Sequence, residues 1–455
     1  MAKLEVVVLA AGQGTRMKSN RPKVLHRLGG KPLLAHVVDA AKSIGAYRIH
    51  VVYGHGGDQV RAEFAGVDIN WVLQDQQNGT GHAVRMAMPN VDDDSTVLAL
   101  FGDVPLINTE TLKRAVEIAD SGSVSVVTTL LDNPLGYGRI LRGASGNVLA
   151  IREQKDASPD EQAIKEINSG IKAAPSELLK KWLDALQPNN AQGELYLTDI
   201  VESANNDDVT VEAVLVEDTA EVTGVNDRAQ LASLERVYQS RKVHQLMVNG
   251  ASVADPTRVD VRGNVVVGQD VFIDVNVIFE GEVTIGDDCT IGPNCVIRES
   301  SIGAGTHVHA NSLVDGASVG EGASIGPFAR LRPETNLGRG VKIGNFVEVK
   351  KANFSDGAKA NHLTYVGDSD IGARVNIGAG TITCNYDGAN KHRTVIGDDA
   401  FIGSGTELVA PVTVGAGATI GAGSTIGSDA PAQQLTLTRV KQRSVKGWKR
   451  PVKKK

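Results

Sequence analysis

Two patterns of apolar residues divide the chain. In residues 1–228, short apolar runs rich in β-branched residues alternate with amphipathic stretches. The runs are Lys3 to Ala10, Ile49 to Tyr53, Thr96 to Phe101 and Ser123 to Leu130, and the stretches include Leu33 to Ile44 and Thr109 to Asp120. This alternation predicts a doubly wound α/β sheet. Residues 229–249 have near-helical apolar spacing and predict a linker helix, which Asn226 or Asp227 can cap and Gly250 can end.

A six-residue period replaces this pattern from Ile285 onward. Branched aliphatic residues recur at steps of six, with two steps of five: Ile285, Ile291, Ile297, Ile302, Val308, Val314, Val319, Ile325 and Leu331, and later Ile396, Ile402, Leu408, Val414, Ile420 and Ile426. No α-helix has such a repeat, and glycine placement follows the aliphatic residues, so we predict a parallel β-helix with three hexads to a coil. The hexads resemble the left-handed β-helix of hexapeptide-repeat acyltransferases, and the left hand is implied by that resemblance.

The hexads are interrupted in two places. Val349 and Ile371 are twenty-two residues apart, which is not a multiple of six, and a polar stretch from Cys384 to Lys391 follows later. Loops expelled from a solenoid often carry binding groups. The first interruption contains Lys350 and His362, so we expect functional side chains there.

Composition narrows the function classes. The chain has 455 residues, 41% hydrophobic, with a net charge of −6. This composition is globular, and the length excludes a single small binding module. A secretion signal is not expected, because the apolar run from Met1 to Ala11 has no basic lead and no cleavage-site pattern, and a membrane span is not expected, because no run of eighteen apolar residues occurs. The three cysteines lack the spacing of zinc sites or disulfide scaffolds, and we interpret them as reduced thiols of a cytoplasmic protein.

The first apolar run leads into a glycine-containing loop, Gly12-Gln13-Gly14-Thr15-Arg16. Glycines after a strand let backbone N–H groups face a phosphate, and Arg16 and Lys23 add positive charge. A GxG pattern alone fits a structural turn as well as a nucleotide site. Asp103, after another apolar run, is suited to Mg²⁺, but on spacing alone it could be a turn or capping residue.

The whole segment from Leu9 to Met17, with Pro22-Lys23 following, resembles the sugar-nucleotide pyrophosphorylases. Further segments match that family's base, metal and sugar elements: Gln74 with Gly79 to His82, Phe101 to Pro105, Gly136 to Arg139, Glu153, Ile167 to Gly170, and Gly224 to Asn226. The resemblance implies UTP and sugar-nucleotide binding by Leu9, Ala10, Ala11, Gly12, Lys23, Gln74, Gly79, Thr80, Phe101, Gly102, Asp103, Gly138, Glu153, Asn168 and Asn226. It also implies that Asp103 and Asn226 hold Mg²⁺ while Arg16 and Lys23 stabilise the charge of phosphoryl transfer.

The second half carries a further resemblance. Lys350-Lys351-Ala352, Asn361 to Tyr365, Asn376 to Thr381 and Cys384 to Gly388 match the bacterial bifunctional N-acetylglucosamine-1-phosphate uridyltransferases and glucosamine-1-phosphate N-acetyltransferases. His362 is the candidate general base, although a lone histidine is more often a surface or core residue. The resemblance assigns glucosamine-1-phosphate to Arg332, Lys350, Tyr365 and Asn376, and acetyl-coenzyme A to Ala379, Asn385, Tyr386, Ser404, Ala422 and Arg439. Small residues at three of these positions also suit β-helix corners.

The resemblance implies the following organisation: a pyrophosphorylase domain in residues 1–228, a linker helix in 229–249, and an N-acetyltransferase domain with a basic tail in 250–455. It also implies a homotrimer, since relatives of this class place acetyltransferase sites between neighbouring solenoids. The basic tail from Arg439 could contact nucleic acid, but the net negative charge and the lack of a basic domain or aromatic platform favour a solvated or partner-facing tail. Two alternatives stay open: a nucleotidyltransferase with a purely structural β-helix, and a non-catalytic scaffold with a decayed N-terminal site.

Overall fold

The computed structural model describes residues 3–54 and 56–453. The contacts within it divide the chain into two compact units, the first ending at Tyr238 and the second beginning at Gln239. Within the described ranges, no helix is long and apolar enough to cross a membrane.

The first unit is built on a mixed β-sheet. The strands of this unit are β1 Lys3–Ala10, β2 Arg27–Leu28, β3 Lys31–Pro32, β4 Arg48–Tyr53, β5 Asn70–Leu73, β6 Ser95–Phe101, β7 Val124–Leu130, β8 Arg139–Arg142, β9 Val148–Arg152, β10 Glu166–Pro175 and β11 Val211–Val216. The sheet order is β11-β7-β10-β6-β1-β4-β5, β8 joins β10 to β9, and β2 pairs with β3 separately. Strand β10 is antiparallel to both of its neighbours, β6 and β7.

Helices cover both faces of this sheet. The helices of the described chain are α1 Leu33–Ser43, α2 Gly57–Glu63, α3 Thr80–Ala87, α4 Thr109–Asp120, α5 Pro159–Gln162, α6 Ser176–Ala185, α7 Ile200–Asn206 and α8 Arg228–Val248. Short 3₁₀ turns span Thr15–Met17, Lys23–Leu25, Met88–Asn90, Leu197–Asp199, Thr219–Val222 and Pro256–Arg258. In β1, Val6 and Val8 enter the core beneath α1 and α4, whereas Val7 enters the core beneath α3 and α6. The doubly wound α/β prediction is therefore confirmed.

Helix α8 is capped by the second of the two predicted residues. The Asp227 carboxylate accepts a hydrogen bond from the Gln230 backbone N–H at 2.8 Å, and the Gln230 side chain accepts from the Asn226 N–H at 2.8 Å. The boundary between the two compact units falls within this helix, after Tyr238. The domain limits at residues 228 and 249 stay a prediction.

The second unit is a parallel β-helix. One sheet contains Ala251–Val253, Val271–Ile273, Thr290–Ile291, His307–Val308, Ser324–Ile325, Lys342–Asn345, Lys359–His362, Asn376–Ile377, Phe401–Ile402, Thr419–Ile420 and Leu435–Thr436. The other contains Val259–Val267, Val277–Ile285, Val296–Ile302, Leu313–Asp315, Ala317–Val319, Arg330–Leu331, Thr335–Leu337, Glu348–Phe354, Tyr365–Ile371, Ile382–Cys384, Thr394–Ile396, Glu407–Val409, Val412–Val414 and Thr425–Ile426. These parallel sheets are consistent with the predicted left-handed β-helix.

Strand register gives the length of each coil. Val259 pairs with Val277, eighteen residues on, whereas Val296 pairs with Leu313, seventeen residues on, because one of its three steps is five residues long. The inward aliphatic side chains form one continuous core along the coils, and the buried thiols of Cys289 and Cys295 belong to it.

The first predicted interruption of the hexads is wrong. Val349 pairs with Val366 and Phe354 with Ile371, so the coil continues through this segment without an expelled loop. Phe354 and Ala360 point inward and are at most 3% exposed. The inward positions are Val349, Phe354, Ala360, Val366 and Ile371, at steps of five, six, six and five residues, and an aromatic ring and a methyl group occupy two of them where branched aliphatic residues are usual.

The second interruption is confirmed. Asn376 pairs with Phe401, twenty-five residues on, whereas Phe401 pairs with Thr419, eighteen residues on. This coil therefore has seven extra residues, and they form a loop between Cys384 and Thr394. The inward pattern resumes unchanged after it, at Ile396 and Ile402.

Two candidate active sites

A cavity opens at the carboxyl ends of β1 and β6, where an α/β sheet usually binds ligands. Its volume is about 280 Å³. Ten of the predicted nucleotide residues line it: Leu9, Ala10, Ala11, Gly12, Lys23, Gln74, Gly79, Thr80, Phe101 and Asp103. The structure thus brings together segments that lie far apart in the sequence.

The glycine loop after β1 is packed against Lys23. Gly14 has a φ of +62°, and a Cβ there would lie 2.6 Å from the Cβ of Lys23. A side chain at this position would be strained and would displace Lys23. Gly102 is tied to β1 as well, since its N–H donates to the Leu9 carbonyl at 2.9 Å.

A cation lies between the two predicted metal ligands. The Lys23 ammonium forms an ion pair with Asp103 and lies 3.4 Å from the Asn226 side-chain oxygen. Arg16 donates to the same Asn226 oxygen at 2.9 Å, and the Val225 N–H donates to the Asp103 carbonyl at 2.9 Å. The two oxygens therefore converge on a space that accommodates positive charge.

This donor set fits Mg²⁺ rather than a metal held entirely by protein. Residues 3–54 and 56–453 contain no cluster of three histidine, cysteine or acidic side chains placed to hold a metal. Asp103 and Asn226 offer one hard oxygen each, and Mg²⁺ commonly takes one or two protein oxygens with substrate phosphates.

At the other end of the cavity, Gln74 is buried and oriented by its neighbours. Its amide nitrogen lies 3.0 Å from His82 Nδ1 and 3.3 Å from the Gly79 carbonyl. With the nitrogen engaged, the side-chain oxygen is the acceptor that a base N–H would need. The Thr80 hydroxyl accepts from the Leu197 N–H at 3.1 Å, which makes it a structural contact as well.

Sequence reasoning missed Gln77 and Glu194, which also line the cavity. The Gln77 amide donates to the Ala11 carbonyl and so joins the base segment to the phosphate loop. Gln77 lies between Gln74 and Gly79 in the sequence, and its place between two predicted nucleotide residues could have indicated that it lines the cavity.

The predicted sugar residues meet beside Phe101. The Asn168 N–H donates to the Gly138 carbonyl at 2.9 Å, and a Cβ on Gly138 would lie 3.3 Å from a Glu153 carboxylate oxygen. A Cβ on Gly170 would be 2.4 Å from the Phe101 ring. Asn168 and Gly170 belong to strand β10 at a bulge, rather than to a loop.

Burial shifts the pKa values of several groups around these residues. It raises the pKa of Glu153, and it lowers the pKa of Lys172 to about 8, which the Glu153 charge partly opposes. The Lys172 ammonium donates to the Asn168 side-chain oxygen at 3.1 Å. Burial also raises the pKa of Asp199 to about 6, and the nearby Glu202 and Glu153 carboxylates add to the shift.

The second site follows one corner of the β-helix. Backbone hydrogen bonds connect equivalent corner residues of successive coils: Leu363 N–H to Asn345 at 3.0 Å, Gly380 N–H to His362 at 3.4 Å, Gly405 N–H to Ala379 at 2.7 Å, and Gly423 N–H to Ser404 at 2.8 Å. The corner column is therefore Asn345, His362, Ala379, Ser404 and Ala422. His362, Ser404 and Ala422 are exposed, so small side chains border an accessible strip beyond His362.

Arg439 lies at the far end of this column. A Cβ on Gly421 would be 3.5 Å from its guanidinium, and one on Gly423 would be 3.9 Å from its Cδ. Four residues that the resemblance assigns to acetyl-coenzyme A thus share one corner with His362.

Cations gather on the neighbouring sheet. Arg332 donates to Glu348 at 2.9 Å. The pKa of Lys350 is lowered by the neighbouring Lys391 ammonium, by partial burial and by the positive charge of Arg332. Lys391, from the seven-residue insertion, is a member of this group that sequence reasoning did not assign. Three adjacent cations favour an anionic ligand such as a sugar phosphate.

Asn385 connects the insertion to this group. Its amide donates to the buried Asp368 carboxylate and lies 3.4 Å from the Tyr365 hydroxyl. The exposed Tyr386 donates to Gly388 at 2.6 Å within its own loop. Asn376 lies on the other sheet, on the strand that follows the one ending at His362.

Comparisons with known proteins match both units. Residues 6–164 match the family described as MobA-like NTP transferase domain, residues 261–351 match the GMPPB C-terminal domain, and residues 393–428 match the bacterial transferase hexapeptide family (six repeats). A structure titled a putative glucose-1-phosphate thymidylyltransferase from Bacillus anthracis is 20% identical, covering 51% of this chain and 94% of that one, with a TM-score of 0.43. That score is too low to support a conclusion about this chain.

Two curated relatives match along nearly the whole length. The bifunctional protein GlmU of Azoarcus sp. (strain BH72) is 54% identical over 450 residues, 99% of this chain and 100% of the relative. The bifunctional protein GlmU of Thiobacillus denitrificans is 54% identical over 451 residues, 99% of this chain and 98% of the relative. This chain therefore belongs to the family of the bifunctional protein GlmU.

Proposed function

We propose that this chain makes UDP-N-acetylglucosamine in two steps, at two separate sites. The second unit acetylates glucosamine-1-phosphate with acetyl-coenzyme A. The first unit then transfers UMP from UTP to the product and releases pyrophosphate. The observation that supports the proposal is the corner column, in which His362 is in line with residues that the resemblance assigns to coenzyme A, together with the three cations of the neighbouring sheet and its loop.

In the acetyl transfer, the sugar amine attacks the thioester carbonyl. A C–N bond forms, the C–S bond breaks, and coenzyme A leaves as its thiol. His362 takes the proton from the attacking nitrogen and returns it to the departing sulfur, which suits an imidazole near neutral pH. Arg332, Lys350 and Lys391 hold the sugar phosphate, and Tyr365, Asn376 and Asn385 contact the sugar or the acetyl end.

In the uridylyl transfer, a phosphate oxygen of N-acetylglucosamine-1-phosphate attacks the α-phosphorus of UTP. A new P–O bond forms as the bond to pyrophosphate breaks. The Lys23 and Arg16 cations stabilise negative charge on the phosphate oxygens, and Gln74 selects the base. Lys23 is paired with Asp103 in the structure, so it must turn from the carboxylate to the phosphates when substrate arrives.

Asp103 and Asn226 would hold Mg²⁺ in this step. When bound, the ion neutralises charge on the phosphate oxygens. Glu153, Asn168 and Gly138 hold the sugar beside Phe101, close enough to align its phosphate with the nucleotide.

The test uses three proteins: wild type, His362→Ala and Asp103→Asn. Wild type should form UDP-N-acetylglucosamine from glucosamine-1-phosphate, acetyl-coenzyme A and UTP. Each variant alone should fail, and an equal mixture should recover the product because the two sites lie in different units. Coenzyme A release, followed as free thiol, should be lost in His362→Ala alone.

A His307→Ala variant is the matched control, since His307 is another exposed histidine of the β-helix. Thiol release that persists in folded His362→Ala would remove His362 as the general base. Absence of acceptor-dependent thiol release from folded wild type would leave a nucleotidyltransferase with a structural β-helix. Absence of Mg²⁺-dependent pyrophosphate release from wild type would reject the uridylyl step.

We also propose a cytoplasmic homotrimer that supplies cell-envelope precursors. The hexapeptide-repeat match supports the trimer, since such prisms have flat faces that pack around a threefold axis. Light scattering should give a mass three times the 47.9 kDa of one chain.

A further inference from the structure

His362 has a side-chain partner one coil earlier. Its Nδ1 lies 2.7 Å from the side-chain oxygen of Asn345, which is the register partner of His362 in the adjacent strand. An amide oxygen can only accept a hydrogen bond, so Nδ1 carries the proton. In the neutral imidazole, Nε2 is then the unprotonated nitrogen, as a general base requires.

The corner geometry explains why this contact is well defined. Asn345 and His362 each precede a residue in the left-handed region, Phe346 with a φ of 56° and Leu363 with a φ of 50°. The same turn is therefore repeated on two successive coils, which stack about 4.8 Å apart. Both side chains leave the corner in the same direction, and the short asparagine reaches the near nitrogen of the ring.

We propose that Asn345 is a positioning residue for the acetyl transfer, and that it fixes the tautomer and orientation of His362 so that Nε2 faces the sugar amine. This inference rests on the acetyl transfer proposed above. Asn345 touches neither substrate in this account, and it acts through His362 alone.

The partner of the His362 ring is an uncharged amide, and this affects the basicity of the ring. A carboxylate in this place would favour the protonated imidazole and raise its pKa, which would lower the fraction of free base near neutral pH. An amide supplies the same directional acceptor without that charge. The ionisable side chains of the two strands, Lys342 and Lys359, are register partners three residues before the pair, so the two strands add no acid beside the ring.

The experiment measures steady-state thiol release for wild type, His362→Ala, Asn345→Ala and Asn345→Asp. For Asn345→Ala we expect kcat to fall about ten- to a hundredfold, as for other residues that orient a histidine. The KM values of both substrates should stay within about twofold. Asn345→Asp should recover part of kcat, and the acidic limb of its pH profile should move to higher pH.

Asn336→Ala is the matched control, because Asn336 is an exposed asparagine that also bonds to the next coil, at 2.9 Å to Asn353. It should leave kcat unchanged. A second readout does not depend on turnover: the ¹⁵N shifts of the His362 ring, identified by their absence in His362→Ala, should report one tautomer in wild type and a mixture in Asn345→Ala.

Wild-type kcat and an unchanged ring tautomer in Asn345→Ala would overturn the inference. So would a loss in which kcat and both KM values worsen together without recovery in Asn345→Asp, since that pattern belongs to a structural residue. If His362→Ala retains activity, the base role of His362 fails as well, and if folded wild type releases no thiol, the proposed acetyl transfer itself fails; these results are distinct from an effect confined to Asn345.

Discussion

The two units assemble their sites in opposite ways. In the first unit, Lys23 meets Asp103 and Asn226, which are 80 and 203 residues away in the sequence. In the second unit, each step along the corner column is a single coil, from Asn345 to His362 and onward. The first site depends on the topology of a whole sheet, whereas the second depends on a local repeat.

Charge is handled differently as well. The sugar end of the first site contains buried or half-buried ionisable groups with displaced pKa values, among them Glu153, Lys172 and Asp199. The cations of the second site lie near the surface. We therefore expect pH to change the stability of the first unit. In the second unit, we expect the charge of the substrate to determine how tightly it binds.

The largest expected effect separates the two activities. Asp103→Asn should lower uridylyl transfer by at least about a hundredfold, because it removes the carboxylate that faces Lys23 and the metal position. Acetyl transfer should be unchanged. Pyrophosphate release and thiol release measured on the same preparation check this, with the exposed Asp132→Asn as control. A parallel fall in both activities would mean that the units are not functionally separate.

The column of small residues provides the next test. Ala422→Leu should raise the KM of acetyl-coenzyme A by about tenfold or more, because added carbon atoms occupy the outer side of the corner. Ala416→Leu, an exposed position at another corner, should have little effect. Equal KM values for the two variants would mean that small residues serve only the corner geometry.

Removing the positive charge of Lys391, in the insertion, should change a KM by about tenfold. Lys391→Ala deletes one of three charges beside the phosphate position and should raise the KM of glucosamine-1-phosphate by that amount, with little change for acetyl-coenzyme A. The control is Lys342→Ala, an exposed lysine on the other sheet. An unchanged KM would remove Lys391 from the site.

The smallest effect concerns stability and pH. The folded-state pKa of Asp199 is about 6, above the ordinary value of 3.8, so wild type loses stability as pH rises from 4 through 6. Asp199→Asn should avoid this loss. At pH 7 it should be more stable than wild type by about 1–2 kcal/mol, and the difference should vanish near pH 4. Thermal unfolding at both pH values measures this, and an equal difference at each would contradict it.

Local periodicity explains what the sequence could predict. Strand β1 and helix α4 have the predicted bounds, and Ile285 to Leu331 have the predicted inward pattern. Each of these features repeats within a few residues, so it can be recognised without tertiary information.

Features that depend on tertiary contacts were harder to predict. Strand β10 carries Asn168, Ser169 and Gly170 in its middle, and such residues usually indicate a turn. Only its pairing with β6 and β7 makes the segment a strand with a bulge. Lys391 could not be placed because a loop sequence does not show where its side chains point. The sequence alone could have identified Asn345 as a neighbour of His362, because it lies one coil of seventeen residues before it.

The seven-residue insertion can change in sequence and length without disturbing the rest of the β-helix. The coil that contains it returns to the same phase, with Ile377 and Ile402 both buried in the core. The loop can therefore be lengthened, shortened or replaced while every strand before and after it keeps its register. The side chains that the loop contributes, Lys391 among them, can therefore change independently of the residues that hold the coils together.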